Sequence, residues 1–175
     1  MDENKSMDWH YLTHDSRAVV YLVWWVISTF GFITTHFYQK QQINGVWFVL
    51  TLIGLGVMFK LMPLKISNMR NILICWTVVL FGGIAISGGA LHIKALQDLV
   101  PYLGSIWMLV LAIGYLWNGL IDQPMKWYMF AVVINVVGAA LAYYVDEFMG
   151  GQYLVAAIVS FWSMGYLWLY RSEIL

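Results

Sequence analysis

Six stretches of about 20 mostly apolar residues follow one another along this chain, and short polar segments connect them. A helix needs about 20 such residues to cross the hydrocarbon core of a bilayer. The strict alternation of a membrane β-barrel is absent, since the stretches are apolar on all sides. The sequence therefore predicts an all-α integral membrane protein with six transmembrane helices. The predicted spans are residues 18–38, 45–64, 71–93, 99–120, 126–145 and 151–170.

Composition supports lipid as the main solvent of the chain. Charged residues make up only 10% of the 175 residues, and hydrophobic residues make up 62%. A soluble domain carries about 25% charged residues, enough to cover its surface. The formal net charge is zero and there is no basic patch, so nucleic acid is not expected as a partner. The expected partner is the lipid bilayer.

Lysine and arginine are divided unequally between the two sides of the predicted bundle. Seven of the nine fall on the side that holds both termini, whereas Lys40 and Lys94 fall on the other. Cytoplasmic loops carry the excess of these cations. We therefore expect a multi-pass protein of the cell membrane with both termini in the cytoplasm. Residues 1–17 would form a polar interfacial segment, and residues 18–175 the transmembrane domain.

An internal repeat relates the later spans. The tetrapeptide GYLW occurs at residues 114–117 and again at 165–168, and the dipeptide YL at 102–103 recurs at 153–154. Each displacement is 51 residues. A period near 50 residues is typical of repeat architectures. We interpret the bundle as three tandem helical hairpins with a pseudo-threefold relation, although the second span fits the repeat poorly.

Two histidines near the N-terminus, His10 and His14, raise the question of a metal site. Their spacing places both imidazoles on one face of a helix, and Asp8 or Asp15 would add a carboxylate. Interleaved aromatic residues favour the alternative, a segment lying at the membrane interface before the first span.

A second pair, His36 and His92, ends the first and third predicted spans on the side opposite the termini. Two imidazoles from different helices can ligate a haem or a metal ion. The alternative is hydrogen bonding of each ring to lipid headgroups, water or backbone, which the sequence favours because the repeat does not relate the two positions.

Asn135 is the most deeply placed amide in the predicted spans. An amide at that depth usually hydrogen-bonds across helices, but it can also mark a polar path through the bundle.

The absences in the sequence weigh against an enzyme. No carboxylate or cation lies near the centre of any span, and the chain contains neither a GxSxG elbow nor a Walker loop. We favour a non-enzymatic accessory, packing or scaffold subunit of a membrane assembly, with other membrane subunits or self-association as partners and no cofactor. The alternatives are a small-solute channel or transporter, and a redox protein that binds haem or a metal through His36 and His92.

Overall fold

The structure is a computed structural model of the chain. It describes the backbone of residues 3–38, 43–62, 65–122 and 125–173, with side chains from Arg17 to Tyr170 within those ranges. Throughout these ranges the chain is helical, without a strand. The helices are α1 (Glu3–Phe37), α2 (Ile43–Leu61), α3 (Ser67–His92), a 3-10 helix (Lys94–Tyr102), α4 (Leu103–Ile121), α5 (Met125–Tyr144), α6 (Asp146–Met149) and α7 (Gln152–Glu173).

Six helical segments among the described residues are long and apolar enough to cross a membrane. The prediction of an all-helical membrane protein with six spans is thereby confirmed. One boundary differs in the kind of helix: before α4, residues 99–102 belong to the 3-10 helix that α4 follows without a break. This 3-10 helix contains Pro101, whose missing N–H prevents a regular α-helical bond. A further difference lies at the N-terminus, because α1 extends back to Glu3 through the polar segment.

Five of the six long helices form a closed ring. α1, α2, α3 and α4 pack on one another in chain order, α7 packs on α4 and returns to α1, and α5 packs beside the ring on α4 and α7. The most extensive contacts are those of α1 with α7 and of α4 with α5, whereas α2 makes the sparsest contacts, with α1 and α3. α2 is also the least buried span, with 22% of its apolar window inside the bundle.

The α1–α7 contact depends on an aromatic side chain from α1. The indole N–H of Trp25 donates to the carbonyl oxygen of Phe161 at 3.0 Å, and its ring stacks on Trp168. A Cβ at Gly165 would lie 3.2 Å from the indole nitrogen, so glycine provides the room for this ring. Small residues that allow close approach are the usual basis of helix association in lipid.

Two ring contacts occur at pairs of positions that are 51 residues apart, the period of the internal repeat. Trp76 contacts Tyr115 with ring centroids 5.3 Å apart, and Trp127 contacts Tyr166 at 5.7 Å. The corresponding position in the first hairpin, residue 64, lies outside the described residues. The threefold relation and the cytoplasmic placement of the termini stay predictions.

Candidate functional site

The bundle has two ends, which we name by the connections they hold. The proximal end holds Arg17 and the connections after α2 and α4. The distal end holds the connections after α1, α3 and α5. A cavity of about 540 Å³ opens at the distal end. We call it the distal cavity, and its lining includes four aromatic residues (Phe32, Trp47, Trp107, Tyr153) and five polar ones (Thr35, Asn44, Ser87, Asp146, Gln152).

Trp47 of α2 forms half of the cavity floor. A Cβ at Gly31 of α1 would lie 2.5 Å from the edge of this indole, so the ring rests directly on the α1 backbone. One helical turn further on, Thr35 accepts a hydrogen bond from the indole N–H at 2.8 Å. The Thr35 hydroxyl in turn donates to the carbonyl oxygen of Gly31. The ring is therefore held by both shape and a hydrogen bond.

Trp107 of α4 forms the other half in the same manner. A Cβ at Gly83 of α3 would lie 2.6 Å from its indole, and Ser87 accepts the indole N–H at 2.9 Å. The two tryptophan rings stack with centroids 6.1 Å apart and an interplanar angle of 17°. In each case a glycine and a hydroxyl residue four positions apart on one helix hold a tryptophan from the next.

Two smaller cavities lie below this floor, on the same axis. A central cavity of about 20 Å³ shares Phe32, Trp47 and Trp107 with the distal cavity. A proximal cavity, also of about 20 Å³, is separated from the central one by residues that line both, Trp24, Trp76 and Met164. Three cavities divided by two aromatic septa therefore follow the axis of the ring from end to end.

A buried polar network lies at the proximal end. Arg17 and Asp122 form an ion pair with an N–O distance of 3.0 Å, and their side chains are only 18% and 9% exposed. The hydroxyl of Tyr128 donates to the other Asp122 oxygen at 2.6 Å and lies 2.7 Å from the hydroxyl of Tyr21. Asn118 donates its amide N–H to Tyr21 at 3.3 Å. The network ties α1 to α4, α5 and the connection between them.

The proximal cavity leaves two polar atoms of this network without a partner among the described residues. These are Nε of Arg17, a donor, and Oδ1 of Asn118, an acceptor. A space of about 20 Å³ holds a single water, and a water needs such a donor and acceptor. The proximal cavity therefore has room for one water.

Gln152, the first residue of α7, positions the rim of the distal cavity. Its Oε1 accepts the backbone N–H groups of Gly104 and Ser105 at 2.7 and 3.3 Å, and its Nε2 donates to the carbonyl oxygen of Pro101. The first N–H groups of a helix have no partner within the helix. Gln152 thus caps α4 from a different helix and fixes the two helices at the cavity mouth.

The histidines predicted from the sequence are placed around the distal cavity rather than in its lining. His36 is half-buried at the end of α1 with its ring edge-on to Phe37, and His92 is exposed at the end of α3. Their neighbours Thr35 and Leu91 line the cavity, but the two imidazoles do not. A haem or metal held by this pair stays a prediction.

His10 and His14 fall on α1, but their side chains lie outside the described residues, so their metal site also stays a prediction. Over the part of the chain that the structure describes, no three His, Cys, Asp or Glu side chains are close enough to share a metal ion.

Asn135 is fully buried on α5 and donates its amide N–H to the carbonyl oxygen of Ala131, one turn back on the same helix, at 2.8 Å. It lines none of the distal, central and proximal cavities. Its role in a polar path stays a prediction, and the cavities follow a different course.

Sequence reasoning missed the two floor tryptophans and the proximal network. A signal for the floor exists in the sequence: a glycine precedes a hydroxyl residue by four positions in both α1 and α3. The network has no comparable signal, because Arg17 and Asp122 are separated by 105 residues.

Comparisons with protein-family models, with curated proteins and with solved structures returned no match for this chain. The class of protein therefore follows from the fold alone. Six apolar helices in one short chain define a multi-pass membrane protein.

Proposed function

We propose that this protein is a small-solute transporter of the cell membrane that binds its solute in the distal cavity. The observation that carries the proposal is the axial row of three cavities, wide at one end and closed at the other. Ligand cavities typically have volumes of about 300–1,000 Å³, and sites between the helices of a bundle are common. A bundle that served only for packing has no need of such a row.

The difference between the two ends supports alternating access. The distal cavity is open, while Arg17, Asp122 and Tyr128 close the proximal end. Transporters keep one gate closed while the other is open, through rocking of one part of the bundle against the rest. We infer that the described conformation is the distal-open state and that the network is the proximal gate.

α2 is the best candidate for the moving element. It contributes Trp47 to the distal and central cavities and Met58 to the proximal one. Its sparse contacts with α1 and α3 make its displacement less costly than that of any other span. The excess of Lys and Arg at the proximal end places that end in the cytoplasm under this proposal.

An accessory or scaffold subunit, the role favoured by composition, would have the same six apolar spans as a transporter. That role does not account for the cavities. The redox alternative requires His36 and His92 to reach a common ligand, and it stays a prediction. Transport is therefore the function that the geometry supports best.

Sided labelling of introduced cysteines tests the proposal. In a Cys75→Ala background, Leu91→Cys places a thiol in the distal cavity and Met62→Cys places one in the proximal cavity. A membrane-impermeant maleimide is applied to sealed right-side-out and inside-out vesicles. We expect Leu91→Cys to react from the outside and Met62→Cys to react from neither side. Addition of Asp122→Asn should open the gate, so that Met62→Cys reacts from the cytoplasmic side while Leu91→Cys slows.

Glu147→Gln is the matched control, because it removes a carboxylate that lies outside all three cavities. It should leave both labelling rates unchanged. A proximal thiol that stays unreactive after Asp122→Asn, or a distal thiol that is unreactive from the outside, would contradict the alternating-access proposal.

A further inference from the structure

We propose that the solute is an amphipathic organic cation, an ammonium group attached to an aromatic or alkyl body, with the apolar body on the tryptophan floor and the cation near Asp146. The inference rests on the proposed transport function and names its substrate class. It depends on three properties of the distal cavity. These are the aromatic surface of its floor, the charge of its lining, and the fact that several of its polar side chains already bond to other protein groups.

The floor offers aromatic surface. Phe32 and Trp47 have ring centroids 5.0 Å apart, and Trp107 continues the cluster at 6.1 Å from Trp47. Both indole N–H groups are already bonded, to Thr35 and Ser87. Phe32 is only 2% exposed and supports Trp47 from behind, so the two half-buried tryptophans present carbon surface and electron-rich π systems to a ligand, and no donors. Such surface attracts apolar groups and cations, with tryptophan the strongest of the aromatic side chains for cations.

The described part of the lining carries one acidic residue and no basic one. Of the sixteen lining residues that the structure describes, Asp146 alone belongs to a charged residue type. No described lysine or arginine forms an ion pair with it. Asp146 is exposed to solvent, so its attraction for a solute cation is partly screened by water. Over the described residues, a lining with one carboxylate and no cation still favours positive solutes over negative ones.

The hydrogen-bonding groups of the lining argue against a sugar or a zwitterion. Gln152 uses both ends of its amide on the backbone of residues 101–105. Thr35 and Ser87 accept from the two indoles. A polyhydroxyl solute needs many free donors and acceptors, and an amino-acid carboxylate needs a cation or donors. Apart from Asp146, the described lining side chains left for such bonds are Asn44 and Tyr153, which are few for a polyhydroxyl solute, and no described lining residue is a cation.

The binding test uses the full chain in nanodiscs of zwitterionic lipid, with isothermal titration calorimetry as the readout. The probe is benzyltrimethylammonium, and phenylmethanesulfonate serves as the anion with the same benzyl group. We expect saturable binding of the cation, with at least about a tenfold preference over the anion. Asp146→Asn should weaken cation binding by about two- to fivefold. Glu147→Gln changes the neighbouring carboxylate, which does not line the cavity, and should leave the affinity unchanged.

Several results would overturn the cation assignment: equal binding of the two probes, absence of cation binding, or an unchanged affinity in Asp146→Asn. A fold defect is separated from a lost contact by Asp146→Glu, which retains the charge and should retain most of the affinity. The sided labelling of Leu91→Cys and Met62→Cys is measured separately, in the sealed vesicles described above and without any probe. If that pattern holds while cation binding fails, the substrate class is wrong and transport stands. If cation binding holds while the pattern fails, the cavity binds cations without transporting them.

Discussion

The contact between Gly83 and Trp107 allows a sharp test of how the cavity floor is held. In Gly83→Ala the new Cβ would lie 2.6 Å from two carbons of the Trp107 indole. The ring cannot retreat freely, because its N–H is bonded to Ser87 and its face stacks on Trp47. Overpacking a well-packed site costs typically about 1–3 kcal/mol, and a lost interhelical hydrogen bond in a membrane costs about 0.6 kcal/mol. We expect Gly83→Ala to lower the free energy of unfolding by about 2 kcal/mol.

The neighbouring glycine provides the matched control. A Cβ at Gly82 would meet nothing within 4 Å, and the residue is exposed. Gly82→Ala should therefore be neutral or slightly stabilising, since alanine is the better helix former. The contrast between two adjacent Gly→Ala changes isolates the contact with the indole from any effect on helix propensity.

Cys75 supplies the assay. It is the only cysteine, it is fully buried, and it becomes reactive toward a thiol-specific fluorophore when the bundle unfolds. A signal from ten tryptophans would be harder to assign. At about 2–4 °C per kcal/mol for a chain of this size, Gly83→Ala should lower the midpoint by roughly 4–8 °C. Trp107→Phe shortens the side chain that the new Cβ would meet. In that background Gly83→Ala should lower the free energy of unfolding by much less.

Equal midpoints for Gly82→Ala and Gly83→Ala would refute the reasoning. So would an alanine penalty that is the same with tryptophan and with phenylalanine at position 107, because the cost would then arise elsewhere than in the indole contact.

Three further changes test other parts of the bundle in the same thiol assay. Gly31→Ala should destabilise by about 1–3 kcal/mol, because its Cβ would lie 2.5 Å from an indole, while Gly56→Ala, with nothing within 4 Å, should not. Asp122→Asn removes the charge partner of Arg17 in a largely buried pair and should cost about 1–3 kcal/mol; an unchanged midpoint would deny the pair a structural role. Gln152→Ala leaves the first N–H groups of α4 uncapped and should cost about 1–2 kcal/mol, and retention of full stability would show that water replaces the cap.

Hydropathy predicted the number and nature of the spans because the cost of placing polar groups in hydrocarbon acts on each segment separately. It was less accurate near α4. Leu99 and Val100 are apolar enough to extend the fourth span, but hydropathy does not distinguish a 3-10 helix from an α-helix. Pro101 marked the change, and its effect on the backbone is local.

The candidate site could not be predicted in the same way, because it depends on which helices become neighbours. Trp47 and Trp107 lie in different hairpins and meet only once the ring has closed. Asn135 shows what depth alone leaves open. Its amide N–H bonds within its own helix, its Oδ1 has no partner among the described residues, and its place in a polar path stays a prediction. Depth is a property of one segment, whereas a cavity is a property of several.

The contact between α1 and α7 has a consequence for how the chain is made. The first span leaves the ribosome long before the last, so the most extensive interface of the molecule is the last that can form. Until then the indole N–H of Trp25 lacks the Phe161 carbonyl group that it bonds in the finished ring. A nascent chain that stops before Gln152 would expose this surface of α1 to lipid or to another protein. Quality control in the membrane could therefore recognise unfinished copies by α1 alone.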